Sequence, residues 1–185
     1  MKVSGFTIAR NVVVHDYPLA ESIRSILPLV DEYIVNVGES DDGTLDLIRA
    51  IQSPKIKIVE TRWDERLNAD GRIFAEQTNL ALSHCTGDWA FYLQADEVVH
   101  EDALPGIKSA METSLMDSGV LGLMFRYLHF FGDYYSVNPW QHGKEIRIIR
   151  NAGAVKSSGD ASGFSTLADG QDLKATPAQI GRAHV

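Results

Sequence analysis

The sequence contains a single cysteine, Cys85, among its 185 residues. One thiol cannot form an intramolecular disulfide, and it excludes a cysteine-rich zinc site. Cys85 follows a predicted helix, where a small buried residue is the simpler interpretation than a nucleophile. The lack of disulfides is typical of a protein that folds in a reducing compartment.

Long apolar runs are also missing from the sequence. No window approaches the roughly 20 apolar residues that a membrane-spanning helix requires. The first residues, MKVSGFTIARN, lack the apolar stretch of a signal peptide. We therefore expect a cytoplasmic protein whose contact with a membrane, if it has one, is peripheral and at the inner face.

Positive charge is scarce, because 17 Lys and Arg residues stand against 25 Asp and Glu residues and the formal net charge is -8. A protein that binds nucleic acid through a broad basic face needs Lys and Arg to neutralise phosphates. The charge balance therefore excludes that class, although it allows a small basic pocket for a nucleotide diphosphate. The length and a hydrophobic fraction of 44% suit one sizeable globular domain.

Strand-like apolar runs alternate with helical patterns along the first 100 residues. This alternation predicts an α/β fold with a mostly parallel sheet flanked by helices. The predicted strands are 3–9, 32–37, 55–60 and 89–93, and the predicted helices are 19–30, 45–51, 69–84 and 101–113. Two further strand-like stretches, 120–131 and 145–150, follow, and the Gly, Ser and Ala rich residues from 151 onward carry no assignable pattern.

Polar and charged residues follow each predicted strand, where ligands bind in open α/β sheets. Acids in such a place can hold a metal ion, and arginines together with the ion can neutralise phosphate charge. The sequence thus predicts a site for a metal-bridged anionic ligand. The segments are ARN at 9–11, GESDDGT at 38–44, RWD at 62–64, DGR at 70–72 and QADE at 94–97.

The ordered set TIARN, DEYIVNVGESDDGT and FAEQTNLAL…TGDWAFYLQADE resembles the family 2 glycosyltransferases with the GT-A fold. The resemblance is greatest to the bacterial branch that acts on lipopolysaccharide core and other surface polysaccharides. It covers residues 3–100, extends more weakly through EIRIIR at 145–150, and fades after residue 160. It implies a Rossmann-like GT-A domain in which residues 1–100 bind a nucleotide sugar. Residues 101–185 would form a smaller, strand-containing acceptor side that is cut off before its end.

The resemblance implies transfer of a sugar, with inversion, from a nucleotide-diphosphate donor to a hydroxyl of a saccharide or lipid-linked acceptor. Mg²⁺ or Mn²⁺ would assist the reaction. By position, Ala9, Arg10 and Asn11 would lie at the nucleobase and ribose, and Glu39 would touch the base or ribose. Asp70 and Arg72 would face the diphosphate and the donor sugar, since an Arg fork suits phosphate oxygens.

The segment QADE aligns with the family's Asp-Ala-Asp-Glu, so that Gln94 stands in the place of the first acid and Ala95 matches. The resemblance implies that Asp96 binds the metal directly, with Glu97 beside it as a second candidate metal residue. Gln94 can still hydrogen-bond to ribose or ion-bound water, but the lost charge should weaken ion binding because hard cations favour carboxylates.

Two residues of the second half complete the implied site. Asp160 is the only acid between Glu145 and Asp169, and it is the candidate base for the acceptor hydroxyl. His184 matches a late family histidine near the metal.

Other interpretations stay open at this point. Asp96 and Glu97 can cap the helix that follows, Asp70 and Arg72 can pair on the surface, and the histidines have no mutual ligand spacing. A nucleotidyltransferase would need a Gly-rich basic loop after the first strand, which ARN lacks. A catalytically degenerate domain that binds a nucleotide sugar or a partner is the other alternative, and Gln94 favours it.

Overall fold

The computed structural model describes residues 1–138, 143–175 and 180–182, with the backbone alone at 68–70, 134 and 180–182. The strands are β1 (Val3–Ala9), β2 (Glu32–Gly38), β3 (Ile56–Thr61), β4 (Trp89–Tyr92), β5 (Gly122–Arg126), β6 (Phe130–Phe131), β7 (Asp133–Val137), β8 (Lys144–Arg150), β9 (Val155–Ser158), β10 (Gly163–Thr166) and β11 (Ile180–Arg182). The α-helices are α1 (Leu19–Ile26), α2 (Thr44–Arg49), α3 (Arg72–Ser83) and α4 (Leu104–Leu115), and 3₁₀ turns cover Glu65–Asp70, Glu101–Ala103 and Leu173–Ala175.

Within these ranges, seven strands form one mixed sheet in the order β11-β5-β8-β4-β1-β2-β3. The strands β4, β1, β2 and β3 run parallel, whereas β8 is antiparallel to both β4 and β5. Two hairpins, β6–β7 and β9–β10, lie outside the sheet. The predicted α/β fold with a mostly parallel sheet is therefore confirmed. None of the described helices is long and apolar enough to cross a membrane.

The central strand β4 explains how the sheet buries a core on both faces. Its residues alternate between the faces, as the pleat of a strand requires. Trp89 and Phe91 join the core beneath α1 and α4, while Ala90 and Tyr92 join the core on the opposite face, to which Phe164 of the β9–β10 hairpin belongs. All four residues of β4 are buried, which explains the continuous apolar run in the sequence.

The register between β1 and β4 places two predicted segments side by side. Phe6 pairs with Tyr92, so β1 continues to Ala9 where the chain beyond Tyr92 leaves β4. The segments ARN and QADE therefore emerge from the same edge of the sheet. This edge holds the candidate site.

Element boundaries differ from the predicted ones at identifiable residues. The helix predicted over 19–30 ends at Ile26, because Pro28 has no backbone N–H to continue the helical hydrogen bonds and its ring crowds the preceding turn. The helix predicted over 69–84 begins only at Arg72, since Gly71 has a φ of 69° and separates it from the preceding 3₁₀ turn. The strand predicted over 120–131 is two strands, with Arg126 ending β5 and Phe130 beginning β6.

A buried carboxylate, Glu32, ties three strands together at the end of the sheet opposite the candidate site. Its Oε1 accepts hydrogen bonds from the Ser4 hydroxyl (2.7 Å) and the Thr86 amide (2.8 Å), and its Oε2 accepts one from Lys57 Nζ (2.6 Å). Burial alone would raise the pKa of Glu32, but the hydrogen bonds from Lys57, Thr86 and Ser4 outweigh it and lower the pKa to about 2.

Replacing this carboxylate should make the protein less stable in a pH-dependent way. A carboxyl whose pKa is lowered in the folded state stabilises that state above its ordinary pKa and loses the effect as the pH falls toward the folded value. We expect Glu32→Gln to cost on the order of 3 kcal/mol at pH 7, and we expect the difference from the unmodified protein to shrink below about pH 4.5. Denaturant unfolding at several pH values measures this.

The control is Glu60→Gln on the neighbouring strand β3, where the Glu60 side chain is 65% exposed. This exposed substitution should change the unfolding free energy by less than about 1 kcal/mol. A pH-independent difference between Glu32→Gln and the unmodified protein would contradict the assignment.

Candidate functional site

A cavity of about 410 Å³ opens at the carboxyl ends of β1 and β4. Seven of the residues selected from the sequence line it: Ala9, Arg10, Asn11, Gln94, Ala95, Asp96 and Asp160. The other lining residues are Ile8, Val12, His15, Tyr17, Trp63, Ile73, Phe74, Tyr92 and Ala161. Three segments that are distant in sequence therefore meet at one edge of the sheet.

The loop after β1 is held in place by the turn between β2 and α2. Asp42 Oδ2 accepts hydrogen bonds from the amides of Val13 and Val14, each at 2.9 Å, and the Thr44 hydroxyl accepts one from the Val12 amide at 2.9 Å. Although desolvation acts in the opposite direction, hydrogen bonds from Thr44, Val14 and Val13 lower the pKa of Asp42 to about 2. The DGT turn thus holds in place the loop that lines the cavity.

This loop also brings His15 and Tyr17 to the cavity, two residues that sequence reasoning did not select. Their ring centroids lie 5.5 Å apart. His15 has no ligand spacing with another histidine in the sequence. The signal that was available is indirect, because the DGT motif folds the loop back but does not identify which of its residues face the ligand.

Arg10 and Trp63 form one wall of the cavity. The Arg10 guanidinium lies 5.6 Å from the Trp63 ring centroid, pairs with Glu65, and donates from Nε to the Glu39 carbonyl at 3.3 Å. The indole packs on Gly38, where an added Cβ would come within 2.6 Å of Trp63 Nε1. Only glycine therefore leaves room for this wall.

Glu39 lies on the other side of that wall. It lines a second cavity of about 510 Å³ together with Arg10, Arg62, Trp63, Asp64 and Glu65. Its carboxylate is 3.5 Å from Arg62 Nε, and both side chains are exposed. Arg10 and Trp63 line both cavities, so Glu39 lies next to the first cavity without lining it.

The adjacent acids Asp96 and Glu97 have different surroundings. Asp96 is exposed and lines the cavity. Partial desolvation by the surrounding protein, together with the charge of Glu97, raises the pKa of Asp96, while Arg147 and His129 act in the opposite direction. The Glu97 side chain is only 12% exposed, and its two oxygens accept from Arg147 Nη2 at 2.7 Å and Arg147 Nε at 2.9 Å.

Arg147, on β8, is the residue that sequence reasoning missed most clearly. Its side chain is 3% exposed, and its guanidinium lies 5.5 Å from the ring centroids of both Tyr92 and Tyr127. Although burial opposes the charge, hydrogen bonding and attraction to Glu97 raise the pKa of Arg147 further. The strand sequence EIRIIR contained the signal, since it places a charge inside a strand whose residues 145–149 are buried.

Asp160 reaches the cavity from the turn of the β9–β10 hairpin. The Asn79 side chain holds the hairpin against α3, because it accepts from the Ser157 amide (2.8 Å) and donates to the Ser157 carbonyl (3.0 Å). A Cβ added to Gly71 would lie 3.0 Å from the Cβ of Asp160. The turn therefore packs on the start of α3, where the DGR segment lies.

Three further residues were selected from the sequence, namely Asp70, Arg72 and His184. Arg72 is exposed at the start of α3 and does not line the cavity. The side chain of Asp70 and the whole of His184 lie outside the residues that the structure describes.

The carboxylates at the cavity fit a divalent ion in one particular way. Among the residues that the structure describes, no group of three or more His, Cys, Asp or Glu side chains could hold a metal ion. Mg²⁺ is usually held by one or two carboxylates together with substrate phosphates and water. Asp96 therefore fits an ion that arrives with a diphosphate.

The sheet order and the site at its carboxyl edge define a protein with the GT-A fold. The family model described as glycosyl transferase family 2 matches residues 16–165. The match covers most of the chain, which therefore belongs to that family. No curated protein matches the sequence.

Two solved structures, both of TarS, support this fold. The chain is similar to TarS from S. aureus at 16% identity and a TM-score of 0.61, over 98% of this chain and 35% of that one. It is similar to TarS residues 1–349 at 16% identity and a TM-score of 0.56, over 82% of this chain and 48% of that one. A structure of glucosyl-3-phosphoglycerate synthase from Mycobacterium tuberculosis with UDP has 22% identity and a TM-score of 0.48, over 70% and 45% of the two chains. The chain spans less than half the length of each of these proteins.

Removing the Glu97 carboxylate should strongly destabilise the fold without any metal present. Glu97→Ala leaves the charge of Arg147 buried without its partner, which typically costs about 3–5 kcal/mol. Denaturant unfolding in the presence of a chelator measures this. Glu101→Ala is the control, because Glu101 is 83% exposed, and it should cost less than about 1 kcal/mol. Equal stability of the two variants would show that the ion pair does not hold the fold.

Proposed function

We propose that the chain is the catalytic part of a glycosyltransferase that moves a sugar from a nucleotide-diphosphate donor to an acceptor hydroxyl with inversion. The observation that carries this proposal is the convergence of ARN, the first three residues of QADE and Asp160 on one cavity at the carboxyl edge of the sheet. Membership of glycosyl transferase family 2 supports it. We further propose a cytoplasmic role in surface-polysaccharide synthesis, with a saccharide or lipid-linked acceptor.

The donor would lie along the edge formed by the first 100 residues. Ala9, Arg10 and Asn11 line the cavity where the nucleoside would bind, and Glu39 would contact the base or ribose from the neighbouring cavity. Asp70 and Arg72 would face the diphosphate from the start of α3. The second half of the chain would then supply the acceptor side, since Asp160 enters the same cavity from the β9–β10 hairpin.

Asp96 is the proposed protein ligand for Mg²⁺ or Mn²⁺, which would enter with the donor. When bound, the ion would neutralise charge on the departing diphosphate. Glu97 would support Asp96 indirectly, because both of its carboxylate oxygens accept hydrogen bonds from Arg147. His184 remains a candidate ligand from outside the described residues.

Asp160 is the proposed base. In the reaction the acceptor oxygen forms a bond to the anomeric carbon while the bond from that carbon to the diphosphate oxygen breaks. The acceptor proton passes to the Asp160 carboxylate, which must lie on the face of the sugar opposite the leaving group for inversion to result. Asp160 lines the same cavity as the residues at the ends of β1 and β4, and this supports the role.

A second function is favoured by Gln94, which stands where the family's pattern has an acid. The chain would then be a catalytically inactive domain that binds a nucleotide sugar or a partner. It predicts nucleotide binding without transfer, and so the two functions are separated by the experiments below.

Asp96→Ala should abolish the metal dependence of nucleotide binding. The reason is that Asp96 is the exposed carboxylate of QADE at the cavity. Calorimetry with UDP, GDP and dTDP, each with and without Mn²⁺, measures the effect and identifies the nucleobase of the donor. Asp102→Ala is the matched control, because the Asp102 side chain is 92% exposed. Metal-dependent binding by Asp96→Ala equal to that of the unmodified protein would rule out the assignment.

Asp160→Asn should slow sugar transfer while leaving donor binding intact. Loss of a general base typically costs about 10²–10⁴-fold in rate, and the amide keeps the shape of the side chain. The measurement is kcat with the donor that binds, alongside the Kd for that donor. The control is Asp169→Asn in the exposed turn after β10. A variant with an unchanged kcat would show that the base lies elsewhere.

A further inference from the structure

The turn that carries Asp160 holds a conformation that needs support. It joins Ser158 of β9 to Gly163 of β10, and Ala161 within it has a φ of 65°. The left-handed region is unfavourable for a non-glycine residue, because its Cβ comes too close to the following carbonyl oxygen. Such a conformation persists only where surrounding contacts hold it.

Two side chains, one just beyond β4 and one on β8, supply those contacts. Gln94 Nε2 donates to the Ala161 carbonyl at 3.4 Å, and Arg147 Nη1 donates to the Ser162 carbonyl at 3.0 Å. Ala161 is itself 1% exposed and belongs to the core that contains Tyr92. Two consecutive carbonyls of the turn are thus held by donors that project from β8 and from the end of β4.

The chemistry of the Ala161 contact requires a donor at position 94. A carbonyl oxygen only accepts hydrogen bonds, and the amide of glutamine can donate one, whereas an ionised carboxylate only accepts. The acid that the family's pattern has at this place would therefore repel the Ala161 carbonyl. Glutamine also reaches one methylene further than aspartate or asparagine.

We propose that Gln94 is a positioning residue whose side-chain amide holds the Asp160 turn at the edge of the cavity. The role of position 94 is thus to hold the hairpin that carries the proposed base, and not to bind the ion. The effect on catalysis rests on the proposed function, but the contact with the turn does not. The test therefore needs a measurement that is independent of transfer.

Hydrogen exchange of the Ala161 and Ser162 amides, followed by NMR, is that measurement. These amides bond to the Ser158 carbonyl at 3.2 Å and to Asp160 Oδ1 at 3.1 Å, so both report on the turn. Gln94→Glu keeps the length of the side chain and removes the donor, and we expect both amides to exchange about tenfold faster. The amides of Val35 and Phe91 in the sheet should be unchanged.

Two further variants sharpen the comparison. Gln94→Asn keeps the donor but is shorter, and its exchange rates should lie between those of the unmodified protein and Gln94→Glu. Gln171→Glu adds the same charge at an exposed position and should leave the turn unchanged. In transfer assays, Gln94→Glu should lower kcat with little change in the KM for the donor, and Gln94→Asn should restore part of the loss.

The outcomes separate this inference from the proposed function. Unchanged exchange at Ala161 and Ser162 in Gln94→Glu overturns the inference, whatever the activity. Faster exchange with an unchanged kcat overturns the positioning role. Faster exchange in a protein that transfers no sugar supports the contact and counts against the proposed function alone.

Discussion

The buried ion pair between Glu97 and Arg147 is the contact on which the arrangement of the candidate site depends. It connects the chain just beyond β4 to the antiparallel strand β8, and the guanidinium is enclosed by the rings of Tyr92 and Tyr127. Burying two charges is costly unless their geometry is good and their other hydrogen bonds are made. Here the Arg147 fork meets both Glu97 oxygens and also reaches the Ser162 carbonyl. One charged group therefore joins the parallel and antiparallel parts of the sheet and the hairpin outside it.

This pair also determines how much negative charge the edge of the sheet presents to a ligand. The sequence QADE contains two acids, but Glu97 is turned inward and neutralised while Asp96 lines the cavity. A single carboxylate is a weak site for a hard cation unless phosphate oxygens complete the coordination. An ion in this cavity would accordingly depend on the diphosphate that accompanies it. Metal binding would then be coupled to donor binding, because the diphosphate would complete the coordination of the ion.

The first half of the fold was predictable because its information is local. Buried parallel strands appear as apolar runs and the helices have clear periodicity, so that only residues such as Pro28 and Gly71 shift the boundaries. The second half was not predictable in the same way. The β9–β10 hairpin is rich in Gly and Ser, and its place is determined by contacts with Asn79 and Arg147 that are distant in sequence.

The candidate site shows the same division. The ends of β1 and β4 pointed to Ala9, Arg10, Asn11 and Asp96 as cavity residues, because a parallel sheet collects its carboxyl ends at one edge. The places of His15 and Tyr17 in the cavity depend on how Asp42 holds the loop after β1, and the inward direction of Glu97 depends on a partner 50 residues away.

Position 94 combines a signal that is visible in the sequence with a contact that only the structure shows. Its departure from the family's pattern is visible in the sequence, but only the nearby carbonyl of Ala161 explains why an amide is useful there. An acid at this position would add charge for the ion and repel the turn that carries Asp160. On our proposal, the glutamine gives up a charge that would favour a cation and holds the turn that carries Asp160.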